Sequence, residues 1–173
     1  MAPDSPPKSA QADRDLAERD VAERDAVEQF RNPALTVDGV VLLRQAEGVL
    51  GDHFSVLLIE RGRDPFKGRY ALPGGFVDYG EDIEDAIHRE IQEETGLTGL
   101  PFCQFRTFGK PGRDPRGHTV SVVYVAVLIG EAPVVTGGDD AASADWFPVK
   151  RLPDLAFDHA HILGRVLDTI KRS

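Results

Sequence analysis

One run, Gly75 to Leu97, constrains this chain more than any other. It reads Gly75, five residues, Glu81, seven residues, then Arg89-Glu90-Ile91-Gln92-Glu93-Glu94-Thr95-Gly96-Leu97. Its second half has the character of a helix starting near Glu81 or Asp82. At about 100° per residue, Glu90, Glu93 and Glu94 fall within one arc roughly 100° wide. A solvated acidic face would lie opposite the apolar residues. Here Ile83, Ala86 and Ile87 share nearly the same face one to two turns earlier, while Asp82, Asp85, His88 and Gln92 point elsewhere. The inward stripe therefore changes from apolar to acidic halfway along. Like charges at this spacing weaken a bare helix by about 0.2–0.5 kcal/mol per pair. A cation among them removes that repulsion, and hard oxygen ligands without His or Cys select Mg²⁺ or Mn²⁺ over zinc.

The rest of the composition sets limits. The chain has 173 residues, enough for one domain with a real core. Its net charge of −9 argues against general nucleic-acid binding, which needs a basic footprint. An acidic protein still binds a polyanionic small molecule where local arginines and a metal ion invert the field. The single cysteine, Cys103, excludes an intrachain disulfide and fits a reducing compartment. The longest apolar run, Val122 to Ile129, is too short for a bilayer. The N-terminus lacks the apolar stretch of a secretory signal, so cytoplasm is the default expectation.

Along the chain, residues 1–12 are expected to be disordered. The near-repeat Leu16-Ala-Glu-Arg-Asp20, Val21-Ala-Glu-Arg-Asp25, Ala26-Val-Glu-Gln-Phe30 favours helix. Its five-residue period walks the apolar positions around the axis, so no buried stripe forms. Residues 1–31 read as a flexible or helical arm, and 32–173 as the globular domain. Strands are expected at Leu35 to Leu43, His53 to Glu60, Arg69 to Leu72, Gln104 to Phe108 and Thr119 to Ile129, with a short one opening at Trp146. Gln45 to Asp52 is a hairpin-type connection and Glu131 to Ser143 a loop. Pro73-Gly74-Gly75 marks a sharp backbone turn, Gly96 a helix stop, and Phe157 to Lys171 a closing helix. Mixed strand order with two substantial helices predicts an α/β protein, an α/β/α sandwich around a mixed β-sheet.

The 23-residue box resembles the Nudix hydrolase signature at every defining position. The resemblance extends over roughly residues 33–170. It implies metal-dependent hydrolysis of a nucleoside diphosphate linked to another moiety X, with Mg²⁺ or Mn²⁺ as cofactor. Matching position by position, it implies that Glu90, Glu93 and Glu94 are metal ligands, that the Gly75 carbonyl joins them, and that Glu81 acts through water. Arg89 would orient the carboxylates by a charge-assisted hydrogen bond; the alternative is a surface i,i+4 pair. The proton acceptor is left between Glu93 and Glu94 in the box and a later loop. Relatives often carry a glutamate three residues before the Trp of that loop, where this chain has Ser143. Asp139 and Asp140 are the loop candidates that remain.

The box does not identify X. The segment Phe108-Gly-Lys-Pro-Gly-Arg-Asp-Pro-Arg-Gly117 resembles the ADP-ribose pyrophosphatase branch, as does Leu155-Ala-Phe-Asp-His159. Arg113 or Arg116 could grip a phosphate bidentately, and Phe108 could stack on adenine. Arg61 and Arg63 are weaker candidates of the same kind. The bland readings are a proline-stiffened solvated hairpin, a core contact for Phe157 and a surface position for His159. Three functions compete: hydrolysis of ADP-ribose to AMP and ribose 5-phosphate, removal of oxidised nucleoside triphosphates, and a sensor regulator with a C-terminal winged helix. The last is disfavoured because the chain stops a few residues past its final helix. A homodimer is expected from the resemblance alone, with a small-molecule nucleotide as substrate and neither nucleic acid nor membrane as partner.

Overall fold

The computed structural model describes residues 32–44, 54–138 and 141–172. The near-repeat expected as helix before residue 31, the hairpin expected at 45–52, and Asp139 and Asp140 lie outside the described residues.

Among the described residues, seven strands form one sheet: β1 (Ala34–Arg44), β2 (Phe54–Arg61), β3 (Tyr70–Ala71), β4 (Gly74–Phe76), β5 (Cys103–Phe108), β6 (Thr119–Ile129) and β7 (Ala141–Pro148). β1 and β6 run parallel in unbroken register from Ala34↔Thr119 to Arg44↔Ile129, and the other pairings are antiparallel. The sheet is therefore mixed. β1 is buried from Thr36 to Leu43, as an inner strand covered on both faces must be.

Side chains alternate across the sheet with period two. Val37, Val41, Leu57, Ile59, Val122 and Tyr124 face one core. Val40, Leu42, Val56, Leu58 and Val123 face the other. Helix α1 (Ile83–Thr95) covers the first through Ala86, Ile87 and Ile91, and α2 (His159–Ile170) covers the second through Ile162, Leu163 and Val166. The α/β/α sandwich over a mixed sheet is the architecture that the strand and helix pattern implied. Truncating Ile87 or Ile91 to alanine would cost about 2–5 kcal/mol. Gly39 lets α1 approach closely: a Cβ there would stand 2.8 Å from Ile91 Cδ1 and 3.3 Å from Ile87 Cδ1.

The feature that positions the site is a fork. Among the described residues, β1 and β2 pair at Leu42↔Val56, Leu43↔Ser55 and Arg44↔Phe54, then diverge. The chain from Tyr70 to Phe76 fills the gap. Its first part pairs with β2 (Ile59↔Ala71, Glu60↔Tyr70) and its second with β1 (Val37↔Gly75, Asp38↔Gly74).

Local differences from the sequence reading have local causes. β7 begins at Ala141 rather than at the Trp, because Ala141 to Ser143 continue the ladder with Glu60 and Arg61 across a register shift. The closing helix starts at His159 rather than Phe157, whose φ of 52° is left-handed and cannot be helical.

Candidate active site

Helix α1 starts where expected. Asp82 caps it by accepting from the Glu84 N–H at 2.9 Å, and Glu84 and Asp85 in the first turn suit the positive end of the helix dipole. Gly96, at φ 74°, closes it. The helix thereby carries its acidic stripe past the turn at Gly74-Gly75. Glu94 is buried, 7 % exposed, and accepts the Gly74 N–H at 2.9 Å. Glu90 packs so closely on Gly75 that a Cβ there would lie 2.5 Å from its carboxylate. This contact is why position 75 carries glycine.

Arg89 gathers the remaining carboxylates. Its Nε and Nη2 donate to the two oxygens of Glu81 at 2.7 and 2.9 Å. Its Nη1 donates to Glu90 at 2.7 Å and to Glu93 at 3.2 Å, and Nη2 also reaches the Phe76 carbonyl at 3.1 Å. The guanidinium therefore does far more than form one surface pair. The Arg89 hydrogen bonds hold the Glu81 carboxyl down to about 2. Burial pushes Glu94 up to about 8, against the opposing Gly74 N–H, with the charges of Glu90 and Asp38 adding to the rise. Burial raises Glu90 as well, despite Arg89.

Arg89, Glu90, Glu93 and Glu94 line one side of a cavity of about 330 Å³. The other side is built from the fork and from the loops before β6 and α2. Asp38 projects from β1 toward His159, whose Nε2 is 3.6 Å from Asp38 Oδ1, and receives the Ser121 hydroxyl. Arg116 is held by Asp114 through Nε at 3.1 Å and Nη2 at 2.7 Å, and lies over the rings of Phe76 (4.8 Å) and Phe157 (5.3 Å). Arg61 lies over the Phe157 ring at 4.8 Å while its Nε donates to the Pro65 carbonyl. Phe157 thus has a guanidinium partner from β2 and another from the loop before β6.

The structure sorts the sequence candidates. Gly75, Arg89, Glu90, Glu93, Glu94, Arg61, Arg113 and Arg116 all border the cavity. Glu93 stands at its rim with a 43 % exposed side chain, not on the buried stripe. Arg113 borders the cavity with its fork closed on Asp158 and its side chain only 5 % exposed. Phe108 packs on the α2 side, edge-on to His161 at 5.9 Å, and is not among the residues that line the cavity. His159 is buried, not a surface residue. Asp38 was missed, although a lone carboxylate inside an apolar strand was a visible signal, since Asp is rarely buried without a partner.

The donor set fits a hard divalent cation. Glu90 and Glu94 are oxygen donors stripped of water and pushed toward the neutral form, a deficit that a cation removes. Among the described residues, however, no three His, Cys, Asp or Glu side chains form a ready-made metal cage. Arg89 binds one oxygen each of Glu90 and Glu93. The expected triad is therefore gathered at one rim without being closed.

Residues 34–168 match the NUDIX domain model, and the chain belongs to the Nudix hydrolase family. It is 42% identical over 134 residues to an ADP-ribose pyrophosphatase of Methanocaldococcus jannaschii, covering 78% of this chain and 73% of that one. It is 34% identical to the ADPR responsive transcriptional repressor NtrR of Acinetobacter baylyi, over 78% of this chain but only 53% of the repressor. Among solved structures, the NUDIX domain of Shewanella oneidensis NrtR complexed with ADP ribose superposes with a TM-score of 0.71 at 29% identity, covering 83% of this chain and 92% of that one.

Proposed function

We propose that this hydrolase cleaves the pyrophosphate of ADP-ribose to AMP and ribose 5-phosphate, with Mg²⁺ as cofactor and Mn²⁺ as a substitute. One observation carries the reading. A single cavity is bordered by the carboxylates of Glu90, Glu93 and Glu94 and also by the Arg61, Arg116, Phe76 and Phe157 cluster. The identity to the archaeal ADP-ribose pyrophosphatase supports the same substrate.

Glu90, Glu93, Glu94 and the Gly75 carbonyl would hold the metal. When bound, such an ion neutralises pyrophosphate charge and acidifies a coordinated water. Arg89 keeps Glu81, Glu90 and Glu93 in fixed orientation. Glu93, at the solvent rim with one oxygen clear of Arg89, is the box carboxylate best placed to accept the proton of the attacking water. Arg116 offers charge to the phosphates, and the exposed Phe76 ring offers a face to a base.

The deciding experiment is a substrate panel with Mg²⁺, comparing kcat/KM for ADP-ribose and 8-oxo-dGTP. ADP-ribose is expected to lead. A clear preference for the triphosphate would move the chain to the nucleotide-cleaning reading, which a 31% identical relative from Bacillus subtilis, a "Putative 8-oxo-dGTP diphosphatase", keeps in view. Homodimerisation belongs to the same proposal and is checked by sedimentation.

A further inference from the structure

His159 lies in the α2 layer, yet hydrogen bonds connect it to the acidic helix of the opposite layer. Its Nδ1 accepts the Leu72 N–H at 2.9 Å. Two residues on, the Gly74 N–H donates to Glu94 Oε2 at 2.9 Å. Between these bonds the Pro73 carbonyl accepts from the Gly39 N–H at 2.8 Å. Gly74, at φ 148°, lies so close to β1 that a Cβ would stand 2.1 Å from the Val37 carbonyl oxygen. The turn is short: β1 holds it at Pro73 and Gly74, and His159 holds it at Leu72.

Leu72 falls where the chain leaves β2 and joins β1, between the ladders of β3 and β4. Its N–H points at no strand, and a buried N–H without an acceptor is costly. The imidazole supplies the acceptor across 87 residues of sequence. Because Nδ1 accepts, the ring hydrogen sits on Nε2, facing Asp38 at 3.6 Å. The Phe157 ring, 5.2 Å away, flanks the imidazole.

We propose that His159 is a positioning residue for Glu94: it holds the Leu72–Gly74 turn so that the Gly74 N–H aims the Glu94 carboxylate into the cavity. The kinetic part of its test rests on the ADP-ribose reading, and the spectroscopic part does not.

Three proteins decide it: wild type, His159→Asn, whose amide oxygen can take the place of Nδ1, and His159→Gln, whose acceptor lies one bond further out. In ¹⁵N-labelled protein without metal, the Gly74 amide is identified by its response to Glu94→Ala. Its exchange protection is expected to persist in His159→Asn and to fall at least about 10-fold in His159→Gln. With ADP-ribose and Mg²⁺, kcat is expected to fall about 10- to 100-fold in His159→Gln, with KM within about twofold, and to recover in His159→Asn. Unchanged Gly74 protection and kcat in a folded His159→Gln protein would overturn the proposal. So would equal loss in both variants that merely tracks their melting temperatures. If the Gln variant does not fold, His159→Asn decides alone: retained protection and kcat support positioning, and loss of both in a folded protein refutes it. A wild type inactive on ADP-ribose sinks the substrate reading, and the amide measurement then settles the role of His159.

Discussion

Arg113 closes its guanidinium on Asp158 with Nε at 3.0 Å and Nη2 at 2.7 Å, joining two loops 45 residues apart. The same Nη2 lies 3.6 Å from Asp38. Asp158 spends its carboxylate on this arginine and makes no side-chain cap on α2. A buried arginine with two carboxylates is a structural tie before it is a phosphate ligand. Arg113→Ala takes the guanidinium from Asp158 and the nearby positive charge from Asp38, and the expected loss is about 3 kcal/mol of stability, read by urea denaturation. A variant as stable as wild type would contradict this.

On the proposed reading, Arg116 is the arginine expected to meet the substrate. Its side chain is 40 % exposed, and the Asp114 carboxylate braces it over Phe76 and Phe157. Arg116→Ala is expected to raise KM for ADP-ribose about 10-fold, and to lower melting temperature as well, because the buried Asp114 carboxylate loses its guanidinium partner. Phe108→Ala, by contrast, should leave KM where it is. Steady-state kinetics on the pair separates the cavity wall from the α2 side.

Glu94→Gln tests the box carboxylate that is most buried. The amide replaces a neutral carboxyl atom for atom and still accepts from the Gly74 N–H, so folding at pH 7 should be unaffected. Turnover is expected to fall at least about 100-fold. Near-normal kcat would remove Glu94 from the reaction.

The pH dependence follows from the same residue. Folding holds the Glu94 carboxyl up to about 8, well above its unfolded value near 4. The folded state therefore keeps a proton that the unfolded chain has released. The stability from this group is complete below the unfolded value and is lost as pH rises through about 8. Burial raises Glu90 in the same sense and lowers His159, which is neutral in both states above pH of about 7. In EDTA, melting temperature should decline as pH rises toward about 8 and level off above it, and the decline should flatten in Glu94→Gln or when Mg²⁺ is added. A flat profile in EDTA would count against a buried Glu94 proton.

The two glycines of the turn should fail differently. A Cβ on Gly74 meets the Val37 backbone at 2.1 Å, and nothing there can yield. Gly74→Ala is expected to give no folded protein. A Cβ on Gly75 meets only the end of the Glu90 side chain, which can swing away from Arg89. Gly75→Ala should therefore fold while losing about 10- to 100-fold in kcat. Circular dichroism and kinetics on both variants check the contrast.

Much of this was legible because it is local. Helix α1 announces itself through Asp82, its apolar stripe and Gly96, and the long strands through β-branched alternation. The glutamates share a helix face because 3.6 residues per turn put them there. Glu93 escaped to the rim because sequence spacing sets an angle but not the depth at which a helix is buried. β7 begins in Ala141-Ala142-Ser143, residues with no strand preference of their own, which pair because β2 offers an edge. Arg113 and His159 were unreadable for a different reason. Their partners, Asp158 and the Leu72 N–H, lie 45 and 87 residues away, and only the tertiary fold joins them.

The fork in the sheet makes the cavity a calliper. One jaw is β1, to which the Gly74-Gly75 turn is paired, and with it the hydrogen bond to Glu94. The other jaw is β2, which ends at Arg61 beneath Phe157. Their hinge is the three residue pairs from Leu42↔Val56 to Arg44↔Phe54. Repacking at that hinge would change the span between carboxylates and arginines, and with it the length of molecule gripped, without altering any side chain that touches it.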